Sequence, residues 1–100
     1  MTSIRAYLLS YDVGDKKRLR EMHKIAKAFG RPLQYSVFAC TLRREDRVRL
    51  ATRIEAFIDL KQDRVVLIDM GGVQDRESWI PPMEIFGRQE MPRERGAVIV

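Results

Sequence analysis

Asp12 is the side chain in this sequence best placed to do chemistry. It follows the run Ile4 to Tyr11 (IRAYLLSY) and precedes a stretch rich in lysine and arginine. A carboxylate where a strand gives out can hold a hard cation such as Mg²⁺ through oxygen. Magnesium bridging that carboxylate and a phosphate would polarise the phosphorus–oxygen bond and lower the pKa of an attacking water. One carboxylate makes a sparse site, and the ordinary use of an aspartate here is as a turn residue. Two copies related by a two-fold axis would bring in a second Asp12 and make a shared site. Tyr11 stands next to it in sequence, and alternation leaves open which face it takes.

Arg18 and Arg20 fall within reach of whatever Asp12 faces, with Lys16 and Lys17 beside them. The planar guanidinium fork suits phosphate oxygens, and such contacts position a nucleic-acid backbone without reading its bases. A competing use for Arg18 is a helix-surface pair with Asp15 or Glu21, worth about 0.2–0.5 kcal/mol. Tyr35 and Phe38 could stack on the bases of a single strand, although an aromatic in an apolar strand more often belongs to the core. His23 is the sole histidine and Cys40 the sole cysteine. That excludes a disulfide within the chain and the zinc sites built on paired cysteines and histidines. Gly71-Gly72 is followed by Val73-Gln74, not by the Lys-Ser/Thr of a phosphate-binding loop.

Charge is distributed unevenly. The net charge is +5, yet residues 1–50 hold twelve basic against five acidic side chains and residues 51–100 hold seven against nine. A one-sided positive field fits a polyanionic partner, and a solvated helix face explains it equally well on composition alone. These residues hold no run that reads as a secretory segment, and apolar runs such as Val65 to Ile68 are far too short to cross a membrane. The expectation is a cytoplasmic protein with no membrane partner.

The elements that must carry these residues follow from periodicity. Ile4 to Tyr11 reads as a central strand, and Asp15 as the N-cap of a helix with Leu19, Met22, Ile25, Ala26 and Phe29 on its buried stripe. Gly30 and Pro32 stop that helix. Leu33 to Leu42 is extended, either as one bent strand or as two short ones kinked near Tyr35-Ser36. A second helix spans about Arg44 to Ile58, with Val48, Ala51, Ile54, Phe57 and Ile58 inward. Asp63 opens a strand whose apolar run Val65 to Ile68 reads as fully buried. The order is β-α-β(β)-α-β, an α+β ferredoxin-like arrangement with two helices on one face of an antiparallel sheet. Residues 1–70 form that domain. Residues 71–100 form a C-terminal extension whose apolar end, Gly96 to Val100, needs a sheet edge to pair with. That edge lies in its own chain or in a partner's.

Three segments in this order resemble one family: Tyr7 to Val13 (YLLSYDV), Lys17 to Arg20 (KRLR) and Gln34 to Phe38 (QYSVF). The combination is similar to the Cas-two family, small CRISPR-associated core proteins of spacer acquisition described as endoribonucleases or endonucleases. The resemblance implies a ferredoxin-like homodimer whose C-terminal strand crosses to the partner's sheet. It further implies a magnesium-dependent nuclease site with one Asp12 from each protomer. Tyr11, Arg18, Arg20 and Phe38 match family positions linked to activity or nucleic-acid contact, and the partners implied are RNA or duplex DNA and the larger CRISPR integrase subunit. The chain departs from the family pattern at Pro32-Leu33, which stand between Arg31 and Gln34, and at Ala39, where many members are acidic. Two functions are therefore expected in competition: a metal-dependent endonuclease, and a non-catalytic scaffold holding nucleic acid for the integrase.

Overall fold

The computed structural model describes residues 3–74 and 79–88. Its elements are β1 (Ile4–Asp12), α1 (Lys16–Phe29), β2 (Arg31–Gln34), β3 (Val37–Arg43), α2 (Arg44–Glu55) and β4 (Arg64–Val73). The strands form one antiparallel sheet in the order β2-β3-β1-β4. Each helix carries the chain across one strand before the next pairs, which is the ferredoxin-like arrangement. The segment from Leu33 resolves into two strands, with the turn at Tyr35-Ser36.

Alternation along β1 decides which face the helices cover. Tyr7, Leu9 and Tyr11 are buried, whereas Leu8 and Ser10 between them are half-buried and Asp12 is exposed. The buried set meets Phe38, Cys40 and Leu42 from β3, Met22, Ile25 and Ala26 from α1, and Leu50 from α2. Each fully buried side chain of this size contributes about 1.5–3 kcal/mol over its exposed state. The two helices are also joined where Arg53 lies over the Phe29 ring, 5.9 Å from its centroid.

Asp15 caps α1 as its sequence position predicts: its backbone is extended and its carboxylate accepts from the Arg18 N–H at 3.0 Å. Gly30 ends the helix for a reason of space. A Cβ there would stand 2.6 Å from Cys40 Sγ and 2.7 Å from the Ala39 carbonyl oxygen, so a larger residue would push the helix end off β3.

Two expectations need correction. The second helix ends at Glu55, short of Ile58, and its buried anchor is Leu50, while Val48 is half exposed. Val65 to Leu67 are only half-buried and Ile68 is 45% exposed, because β4 stands at the edge of the sheet among the described residues, with one face against the helices. β4 continues through Gly71-Gly72 to Val73, with a register shift opposite Ala6/Tyr7. Gly71 has φ +104°, a backbone conformation that suits glycine. The expected strand at residues 96–100 lies outside the described residues.

Candidate nuclease and nucleic-acid site

Asp12 is the last residue of β1 and faces away from the helices, opposite Arg64 of β4. It is exposed, and among the described residues its carboxylate makes no hydrogen bond or ion pair. It shares the uncovered face with Leu8 and Ser10 and, across the strand pair, with Val66 and Ile68. A free oxygen donor on an open, partly apolar face is accessible both to a cation and to a second copy.

Tyr11 points the other way. It is 5% exposed, its ring lies 6.2 Å from that of Phe38, and its hydroxyl donates to the Tyr35 carbonyl oxygen at 3.2 Å. The same hydroxyl is 3.0 Å from Nδ1 of His23. Burial pushes the phenol up to about 12, because the phenolate would lose its hydration. The structure therefore separates Tyr11 from Asp12 by the thickness of the sheet and makes it part of the core. Phe38 is likewise fully buried, between Tyr11 and His23, whose ring stands edge-on at 5.6 Å. It has no surface on which a base could stack, so the contact expected of it is replaced by a packing role. Tyr35 is 43% exposed, and it is the aromatic of that pair with a free face.

The cationic residues of α1 also divide. Lys16, Lys17 and Arg20 are exposed, and among the described residues none makes an ion pair. Arg18 turns inward and forks onto Asp63, Nε to Oδ2 at 2.7 Å and Nη2 to Oδ1 at 3.1 Å. Asp15 stands 3.9 Å from the same guanidinium. The pairing foreseen with Asp15 is thus the minor one, and Glu21 takes no part in it.

Asp63 is the residue that reading the sequence missed. Its side chain has no exposed surface, and besides Arg18 it accepts from the N–H groups of Gly14 at 2.8 Å and Asp59 at 2.9 Å. These donors, Arg18 foremost, hold its carboxyl far below the usual carboxylate range. Asp59 in turn accepts from the N–H groups of Lys61 and Gln62, closing the loop before β4. A signal was available: once β1 and β4 are paired antiparallel, the residue before β4 must lie beside the turn after Asp12.

Among the described residues no three His, Cys, Asp or Glu side chains gather as metal ligands. Asp12 alone fits magnesium as a partial donor set, since Mg²⁺ is commonly held by one or two carboxylates, with waters and substrate phosphates supplying the rest.

The model of the family "CRISPR associated protein Cas2" matches residues 5–78. The chain is 35% identical over 95 residues to CRISPR-associated endoribonuclease Cas2 1 of Rhodospirillum rubrum, covering 95% of this chain and 90% of the relative. It is 32% identical over 94 residues to CRISPR-associated endoribonuclease Cas2 of Geobacter sulfurreducens, covering 94% of this chain and 96% of the relative. The crystal structure of a hypothetical protein from Thermus thermophilus superposes with a TM-score of 0.70 at 26% identity, covering 90% of this chain and 99% of that one.

Proposed function

The chain belongs to the CRISPR-associated protein Cas2 family, and from that membership we propose that it is a nuclease that cleaves phosphodiester bonds in RNA or DNA as a homodimer. The observation that carries this reading is the Asp12 carboxylate, exposed and unpaired among the described residues at a strand end on the uncovered face of the sheet. Two such faces packed about a two-fold axis would bury Leu8, Val66 and Ile68 and bring the paired strand-end carboxylates to one assembly. Asp12 of each protomer would hold the Mg²⁺. When bound, the ion supplies charge to polarise the scissile phosphate and acidify a water.

The chain's own cations do the rest. Lys16, Lys17 and Arg20 are free to meet phosphate oxygens and hold the backbone in register. Arg18 is occupied by Asp63, so it contributes to the shape of the site and not to the binding charge. Tyr11, on the far side of the sheet, supports Asp12 through the packing of β1.

A second reading rests on those same cations. Exposed basic groups on α1 hold duplex DNA whether or not cleavage follows, and a dimer that only holds DNA would serve as a scaffold for the integrase subunit. One experiment separates the two. Labelled RNA and duplex DNA are incubated with purified wild type and with Asp12→Asn, with Mg²⁺ and with chelator. The nuclease reading expects Mg²⁺-dependent cleavage that falls to background in the variant, with binding retained. Wild type that binds both polymers and cleaves neither would overturn it in favour of the scaffold.

A further inference from the structure

We propose that Asp63 is the positioning residue of the Asp12 site, its buried carboxylate locking the turn that follows Asp12 onto the start of β4. The inference rests on the reading of Asp12 given above. Gly14, whose N–H donates to Asp63 at 2.8 Å, is two residues beyond Asp12. Asp63 itself immediately precedes Arg64, the residue paired with Asp12 across the strands. The end of β1 is therefore held through its own chain by Gly14 and through its neighbour by the register of β4.

The same carboxylate reaches α1. Arg18 forks onto both of its oxygens while the Arg18 N–H is held by the Asp15 cap. One anion thus ties together the β1–α1 turn, the first turn of α1 and the α2–β4 loop. The fit is close: a Cβ on Gly14 would stand 3.3 Å from the Gln62 carbonyl oxygen. Asp12 has no side-chain partner of its own among the described residues, so its direction is set by its backbone. A ligand or catalytic group must be held to within about 0.5 Å of its working position, and this clamp is what the structure offers to do so. Asp63 stays ionised throughout the neutral range and acts as a fixed acceptor, with no part in proton transfer.

A buried ion pair is weak support for stability as such, so the test must see position and not only folding. In Asp63→Asn the side chain keeps its size and loses its charge. The turnover number is expected to fall by about 10- to 100-fold, as for other residues that orient a ligand, with KM for the nucleic acid little changed. Hydrogen exchange at the Gly14 amide should accelerate, while the Leu9 and Ile25 amides keep their protection. Arg18→Lys, which keeps the charge and gives up the fork, should give the same pattern at smaller size; it serves as the probe should Asp63→Asn fail to fold. Unchanged Gly14 protection in a folded variant would overturn the proposal. So would full turnover in Asp63→Asn alongside loss of activity in Asp12→Asn. If Asp12→Asn itself retains activity, the nuclease reading falls, and Gly14 exchange still decides whether Asp63 fixes the turn.

Discussion

The two faces of the sheet are made from the same strands and differ in almost everything else. On one, Tyr7, Leu9, Tyr11, Phe38, Cys40 and Leu42 meet the helices and are sealed. On the other, Leu8, Ser10, Val66 and Ile68 are half covered and Asp12 stands free. The difference follows from a period of two residues along each strand, so adjacent residues such as Tyr11 and Asp12 have opposite duties. The lesson is that sequence adjacency in a strand argues against a shared site, whereas register across strands argues for one, as with Asp12 and the residues flanking Arg64.

The sharpest way to break the comparison is to empty one position on each face. Phe38→Ala removes a ring with no exposed surface and should cost about 3–5 kcal/mol in chemical denaturation. Ile68→Ala should cost less than about 0.5–1 kcal/mol in the isolated protomer, since much of its side chain is already in contact with water. If the Ile68 variant loses as much as the Phe38 variant, and the stability of the wild type rises with protein concentration, a second copy covers the open face. That outcome would extend the sealed surface to both sides and support the dimer. An equal loss that ignores concentration would mean the two faces are not different after all.

Tyr11 probes the sealed face at high pH. Its folded pKa is raised to about 12 from the 10.0 of an accessible tyrosine. The folded state therefore keeps its proton after the unfolded chain has given it up. Stability is complete below about pH 10 and is lost as the pH climbs from about 10 towards about 12. Cys40, raised to about 11 by burial, adds a slope of the same sign that begins at lower pH. Tyr11→Phe should flatten the upper part of this alkaline fall and cost about 0.5–1.5 kcal/mol at neutral pH for the hydrogen bond to the Tyr35 carbonyl oxygen. An unaltered slope in urea titrations between pH 9 and about pH 12 would place the Tyr11 hydroxyl in water and not in the core.

Much of this was legible beforehand, and the misses share a cause. Periodicity located both helices and the sheet, and Asp15 announced the start of α1 because an N-cap is a local device. Asp12 draws attention because a carboxylate before a basic helix is a local pattern too, and the structure places it exposed at the end of β1. Burial in β4 was overestimated because a continuous apolar run is read as covered on both sides, while coverage depends on which strands become neighbours. Phe38 and Tyr11 became site residues through family position; an aromatic in an apolar strand already suggested the core for Phe38, while Tyr11 needed the alternation along β1 to place it there. Arg18 and Asp63 are 45 residues apart, and no local rule pairs them. A long-range ion pair becomes predictable once topology brings the turn after β1 against the loop before β4.

The smallest expected effect separates two arginines that look alike in the KRLR segment. Arg20 is exposed and has no ion pair among the described residues, whereas Arg18 is bound to Asp63. If α1 meets phosphate, Arg20→Ala removes one counterion-releasing contact per site. The slope of log affinity against log salt should then shrink by about 0.9 for duplex DNA, equally for every sequence tested, with no change in melting temperature. Arg18→Ala should do the reverse. It leaves the buried carboxylate of Asp63 without its main partner, so the melting temperature falls, while the salt slope of the folded protein stays close to that of wild type. Anisotropy titrations at several salt concentrations read both slopes on the same labelled duplex. A slope that drops equally for both variants would mean that Arg18 leaves Asp63 when nucleic acid binds, and that the clamp opens as the site is used.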